Sequence, residues 1–285
     1  MSDFLDLMVQ GSRERAQALL AMRADDGWRA AAAEAPPPPV LQLDPSGFDL
    51  IAEIKLSSPS EGVLAAADAD VAARAETYAR AGACAVSVLT EPSRFGGDLA
   101  HLETAAAVLA AHGVPAMAKD FLVEPCQVAT ARLAGAGGVL LILRILEDDR
   151  LLEMLDLARD LGMFVLVEAF DAADLERARR LFGPQHAAAP PTLVGLNTRN
   201  LATLEVDPGR LEALAGEFPN GLPAVAESGL ATAADCAAAA GNGYALGRVG
   251  TALMRAPDPA VHHRARQAGG RTGAGAGRCS SRSGD

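Results

Sequence analysis

The chain has 285 residues and a hydrophobic fraction of 50%, enough for one large domain or two small ones, so disorder throughout is excluded. Lys and Arg total 25 against 36 Asp and Glu, giving a net charge of -11 and a pI near 4.9, which excludes a diffuse phosphate-backbone binder and hence a nucleic-acid partner. Any anion must be held by a local set of backbone N–H groups and one or two cations.

At the N-terminus Phe4, Leu5, Met8, Val9, Ala16, Leu19 and Leu20 recur near helical spacing, with Ser2 and Asp3 as candidate caps, which predicts an amphipathic helix. Acidic residues stand there where a secretion signal needs positive charge, and the longest apolar run, Val139 to Leu143, is too short to cross a bilayer. A soluble, cytoplasmic protein without a membrane partner is expected. The run Pro36 to Pro39 separates a helical arm and linker, residues 1–45, from the first strand-like stretch, Leu50 to Lys55.

Short β-type runs then begin near Ile51, Ala83, Pro115, Gly138, Met163, Thr192, Pro223 and Tyr244, with Ala-, Arg- and Glu-rich helical stretches between them. Intervals of about 20 to 30 residues fit one strand, one crossover helix and two short loops. Eight such units over residues 46–260 predict an α/β fold, a (β/α)8 TIM barrel with an N-terminal helical extension. A doubly wound sheet would carry GxGxxG after its first strand, where EIKLSSPSEG stands instead. Cys84, Cys126, Cys236 and Cys279 are too widely spaced for a metal knuckle and are expected as buried small hydrophobes. Residues 261–285 are rich in Gly, Arg and Ser and predict a disordered tail; His262 and His263 within it have no carboxylate or thiol at ligand spacing, so no metal is expected.

In such a barrel, chemistry sits where the strands end. The first strand ends in Glu53 and Lys55, two apart and so on one face; the third in Lys119, the fifth in Glu168, the sixth in Asn197 and Arg199, the seventh in Glu227 and Ser228. Singly, each reads as a solvated loop residue. Together they converge on one mouth, where three carboxylates and three cations would tune one another as acids and bases. Gly229 after the seventh strand, and Gly250 with Thr251 after the eighth, fall in the loops that bind phosphate in barrels, with Ser58 a further candidate.

The segments IAEIKLSSPSEG, VPAMAKDFLVEPCQV, LGMFVLVEAFDAADLERA, LVGLNTRNLATLEVD, AVAESGLAT and VGTALMRAPDP, together with GACAVSVLTEPSRFGGDLAHL and AGAGGVLLIL, resemble the indole-3-glycerol phosphate synthases of tryptophan biosynthesis over about residues 50 to 259. The N-terminal helix fits that family's extra arm, which covers part of the active site. The resemblance implies a carbon-carbon lyase that converts 1-(2-carboxyphenylamino)-1-deoxyribulose 5-phosphate to indole-3-glycerol phosphate, carbon dioxide and water, with no cofactor and no metal. It assigns Lys119 as general acid, Glu168 as general base, and Lys55 to dehydration or to the substrate carboxylate. Glu53, Asn197, Arg199 and Glu227 would orient sugar hydroxyls, hold the anthranilate carboxylate and position the lysines, with Ser228 beside them. Ser58, Gly229, Gly250 and Thr251 would contact phosphate, and Phe121 and Leu141 would wall the anthranilate ring. A monomer or weak dimer is implied, with association to other tryptophan-pathway enzymes as an open possibility.

Two departures stand out. Gly247 and Arg248 replace the aliphatic pair expected in the last strand, which predicts a weakened closure of the barrel, and HHRARQAGG replaces a leucine-rich final helix, so reduced stability is expected. The alternatives are a Schiff-base sugar-phosphate aldolase using Lys119 and a non-catalytic barrel retained as a pathway assembly subunit.

Overall fold

The structure, a computed structural model, describes residues 3–45, 47–58, 62–63, 70–183, 186, 190–201 and 203–280. The arm is two helices, α1 (Asp3–Met22) and α2 (Asp25–Ala33), rather than one. Asp25 and Asp26 begin the second, where carboxylates favour the positive end of a helix. Leu5, Met8, Val9 and Ala16 are buried as their spacing predicts, while Leu20 is exposed. The candidate cap Ser2 lies outside the described residues.

Among the described residues the barrel strands that follow are β1 (Asp49–Ile54), β2 (Ala85–Leu89), β3 (Ala116–Lys119), β4 (Gly138–Ile142), β5 (Phe164–Ala169), β6 (Thr192–Asn197), β7 (Ala224–Glu227) and β8 (Leu246–Val249). They are parallel and close into a barrel, β8 pairing with both β7 and β1. The principal helices that return the chain are α3 (Val71–Ala81), α4 (Leu99–Ala110), α5 (Pro125–Leu133), α6 (Asp148–Asp160), α7 (Ala172–Leu181), α8 (Gly209–Ala213) and α9 (Ala233–Gly241). Asp70, Asp98, Asp171 and Thr232 cap α3, α4, α7 and α9 by accepting backbone N–H groups.

Strand alternation divides the core in two. Val86, Val88, Val139, Leu141, Val165, Val167 and Val194 pack outward with Leu102, Leu109, Leu155 and Leu175 of the helices. Ile51, Ala85, Met117, Leu140, Phe164, Leu166, Leu193, Val225 and Leu246 fill the barrel interior.

The last strand is not weakened in the way its sequence suggests. It pairs on both edges, Leu246 to Arg248 with Val225 to Glu227 and Asp49 to Ala52 with Leu246 to Val249. A Cβ on Gly247 would lie 2.5 Å from Leu230 Cδ1 and 2.9 Å from Phe48 Cζ, so the missing side chain admits two large ones. Arg248 points the other way, into the barrel.

The expected disordered tail is corrected too. After a short turn of helix, α10 (Thr251–Met254), the chain forms α11 (Pro259–Ser280), which lies against α9, α3 and β1; residues 281–285 lie outside the described set. The face that lacks leucines is instead flat. A Cβ on Gly269 would lie 2.4 Å from the Ala233 carbonyl oxygen and one on Gly273 2.1 Å from that of Ala237, so two small residues four apart meet two others four apart at backbone contact. His263 is buried here, contrary to the expected solvated histidines, while His262 is exposed. Cys126 and Cys236 are buried free thiols and Cys84 partly so; the Cys279 side chain is outside the described ones.

Candidate active site

Residues two apart on a strand share a face, so interior positions continue upward to the strand ends. The C-terminal mouth therefore gathers Glu53 and Lys55 from β1, Leu89 from β2, Lys119 from β3, Ile142 from β4, Glu168 from β5, Asn197 from β6, Glu227 from β7 and Arg248 from β8. Apart from Glu227, buried just beneath, these line a cavity of about 380 Å³, in the range of small-molecule sites.

Glu168 is the junction. Its Oε1 lies 3.9 Å from Lys119 Nζ, accepts from Asn197 Nδ2 at 3.1 Å and lies 3.4 Å from Arg248 Nη2. Asn197 is fixed in turn, its Oδ1 accepting from Ser228 Oγ at 2.8 Å and from the Arg199 N–H at 3.1 Å. Lys55 Nζ lies 3.1 Å from Glu53 Oε1 and 3.3 Å from Thr251 Oγ1, linking the first strand end to the last. Arg248 donates from Nε to Glu227 Oε2 at 2.6 Å and from Nη1 to Glu53 Oε2.

Burial makes these charges interact strongly, since Glu53 and Glu168 are each 2% exposed and Glu227 is 0% exposed. At Glu53 burial favours the protonated form, but Lys55, Arg248 and Lys119 outweigh it and hold the carboxyl at about 2. Glu227 goes the other way: burial, aided by the Glu168 charge and opposed by Arg248 and Lys119, raises it to about 8. Arg248 stays charged, because its three carboxylates more than offset the cost of burial. Two neighbouring carboxyls pushed apart in this way are the pattern that separates acid from base roles.

One wall is apolar. Phe121 sits edge-on to Phe4 of the arm, ring centroids 6.3 Å apart, and 6.2 Å from Phe95. The arm is held over this wall by Arg15, which donates to Asp120 Oδ1 at 2.6 Å, and by Gln127, whose Nε2 donates to Ser12 Oγ at 2.9 Å. The opposite end is built from Gly229, Gly250, Thr251 and Arg255 beside Lys55. Ser228 and Gly229 have φ of 67° and 79°, a left-handed turn that serine adopts at a cost.

The structure thus brings together Glu53, Lys55, Lys119, Phe121, Glu168, Asn197, Arg199, Glu227, Ser228, Gly229, Gly250 and Thr251. Leu141 is not among them: it faces the helices, and Ile142, one residue on, lines the cavity in its place. Ser58 lies in a short antiparallel pair with Gly62, its side chain outside the described ones. Sequence reasoning missed Arg248, Phe4, Ile142 and Arg255. The signal for Arg248 was its spacing of two from Leu246 and Gly250, which puts it on the interior face.

Among the described residues no group of three His, Cys, Asp or Glu is placed to hold a metal ion, and no helix is long and apolar enough to cross a membrane.

The family profile described as indole-3-glycerol phosphate synthase matches residues 13–265. Proteins of that name from Micrococcus luteus and Mycobacterium avium are 44% and 40% identical to this chain, over 77% of it and 78% of the relative in the first case and 90% of each in the second. Among solved structures, 3-hexulose-6-phosphate synthase from Salmonella typhimurium superposes with a TM-score of 0.59 at 16% identity, covering 78% of this chain and 98% of that one. Orotidine 5'-phosphate decarboxylase from Pyrococcus horikoshii gives 0.55 at 13%, covering 78% and 99%. At those identities the likeness is one of fold.

Proposed function

The chain belongs to the indole-3-glycerol phosphate synthase family, and we propose that its charged cup carries out that family's decarboxylative ring closure with Lys119 as acid and Glu168 as base. The substrate is 1-(2-carboxyphenylamino)-1-deoxyribulose 5-phosphate; the products are indole-3-glycerol phosphate, carbon dioxide and water. The observation that carries the assignment is the ammonium of Lys119 facing the buried Glu168 carboxylate at 3.9 Å across a cavity with one aromatic end and one glycine-lined cationic end.

The aryl ring lies against Phe121, Phe4 and Ile142, and the phosphate meets Thr251 and the Gly229 and Gly250 backbone. Arg199 and Lys55 are the cations available to the aryl carboxylate. Ring closure requires the carboxylate-bearing aryl carbon to attack the ketone. Lys119 donates a proton to the carbonyl oxygen as the carbon-carbon bond forms, so the developing alkoxide becomes a hydroxyl. Loss of carbon dioxide returns the bonding pair to the ring and restores its aromaticity. The hydroxyl then leaves as water with a proton from a lysine, and Glu168 removes a proton to complete the indole double bond. Asn197, anchored by Ser228, holds Glu168 in place, and Glu53 holds Lys55. The reading extends to a cytoplasmic protein acting as a monomer or weak dimer.

The test offers this substrate to the intact chain and to Lys119→Ala and Glu168→Gln, following indole fluorescence. Turnover by the parent and a loss of about 10²-fold or more in kcat in each variant is expected. Full turnover in either variant removes that residue from its role. Borohydride reduction with substrate present should leave Lys119 unmodified; an adduct there favours the aldolase reading.

A further inference from the structure

The ring closure as written gives Arg248 no task, yet its Nε, Nη1 and Nη2 engage Glu227, Glu53 and Glu168, carboxylates on three different strands. A planar guanidinium suits this, since its donors leave in fixed directions that a lysine ammonium does not reproduce. The cup holds Lys55, Lys119 and Arg248 against Glu53, Glu168 and Glu227, and Glu227, raised to about 8, is the protonated member at neutral pH. The Glu168 carboxylate is then faced by two cations, Arg248 Nη2 at 3.4 Å and Lys119 Nζ at 3.9 Å. Without Arg248 it loses one of the two, together with the fork that orients it, and holds a proton more readily. A base that already holds a proton cannot take another.

Resting on Glu168 as the base, we propose that Arg248 is a positioning residue of the ring closure: by bridging Glu53, Glu168 and Glu227 it keeps Glu168 an oriented carboxylate beside Lys119. Proton removal, rather than substrate binding, therefore depends on it. Its side-chain hydrogen bonds run to carboxylates, while the aromatic wall rests on Phe4 and Phe95 and Lys55 keeps its bond to Thr251, so proton removal is affected more than substrate binding when it is changed.

The experiment measures kcat and KM against pH, from about 5 to 9, for the full chain and for Arg248→Leu and Arg248→Lys. Arg248→Leu should lower kcat about 10²-fold with KM within about threefold, and should move the acidic limb of the kcat profile up by about one pH unit. Arg248→Lys restores the charge without the three-way fork, so its limb returns to the parental position while kcat stays about tenfold low. Where Arg248→Leu does not fold, Arg248→Lys decides. Parental kcat and pH profile in a folded Arg248→Leu or Arg248→Lys, or a loss confined to KM, overturns the proposal. Glu168→Gln separates the two failures: if it is inactive while the Arg248 variants keep parental kcat, the base stands and Arg248 has no part in it.

Discussion

At Gly195 and Gly250 the space of an absent side chain is occupied by a carboxylate. A Cβ on Gly195 would lie 1.9 Å from Glu227 Oε1, and one on Gly250 2.2 Å from Glu53 Oε1, contacts that no rotamer adjustment of a methyl can relieve. Gly195→Ala should therefore swing Glu227 off Arg248 while the barrel still closes, lowering kcat/KM at least about tenfold for a stability loss of about 1–3 kcal/mol. Kinetics beside a urea titration check this, and parental kinetics in the folded variant would mean that the Glu227 orientation is immaterial. Most of the site was legible at this scale because the acidic and basic residues of strands one, three, five and seven stand out against apolar neighbours. Leu141 was not, because in an unbroken aliphatic run such as Val139 to Leu143 no polar residue marks which parity faces inward, and Ile142 differs from it by one position. Arg248 was misread for the opposite reason: a charge in a strand buried on both faces reads as damage until its three partners, from distant parts of the chain, are brought beside it.

The elements themselves were predictable from local pattern: each barrel strand begins within a few residues of its expected start, since helix and strand periodicities alternate cleanly through the middle of the chain. The final helix was not, because its packing uses the absence of side chains. Glycine costs about 1 kcal/mol in a helix interior, so a segment carrying five of them within Pro259–Ser280 has low intrinsic helicity and reads as tail. Docking supplies the rest: Gly269 and Gly273 approach the backbone of α9 at Ala233 and Ala237, Gly270 faces Phe48, and Arg266 donates to the Ala231 carbonyl. Gly273→Val should accordingly destabilise the fold by about 1–3 kcal/mol even though valine is the better helix former, because the added atoms meet a carbonyl rather than a movable side chain. Denaturant midpoints test it. A rise in stability would show that α11 does not dock, and a chain ended at Pro259 would then unfold with undiminished stability as well.

For the molecule as a whole, stability against pH follows from the buried groups whose protonation differs between the folded and unfolded chain. His263, enclosed between α11 and the body, is lowered by burial from 6.5 to about 4, the Ala81 backbone opposing without making a hydrogen bond of normal geometry. The unfolded chain therefore takes up the extra proton as pH falls from 6.5 toward 4, and stability is lost across that window. Glu53, held at about 2 against an ordinary 4.5, contributes stability that is present above 4.5 and lost as pH falls toward 2. Glu227, raised from 4.5 to about 8, has the opposite sign: its contribution is complete below 4.5 and is lost as pH rises toward 8. Between 4.5 and 6.5 the His263 and Glu227 slopes oppose each other, each about 1.4 kcal/mol per pH unit, so they cancel to first order. Urea midpoints at constant ionic strength should thus be nearly flat from 4.5 to 6.5, decline from there to 8 and fall steeply below 4.5. His263→Leu removes one of the two opposed slopes and should convert the plateau into a continuous decline from 4.5 to 8, whereas Glu227→Gln should abolish the alkaline decline and leave the acid one. A plateau that persists in His263→Leu would show that the imidazole is solvated rather than enclosed, and with it that the last helix does not seal this side of the barrel.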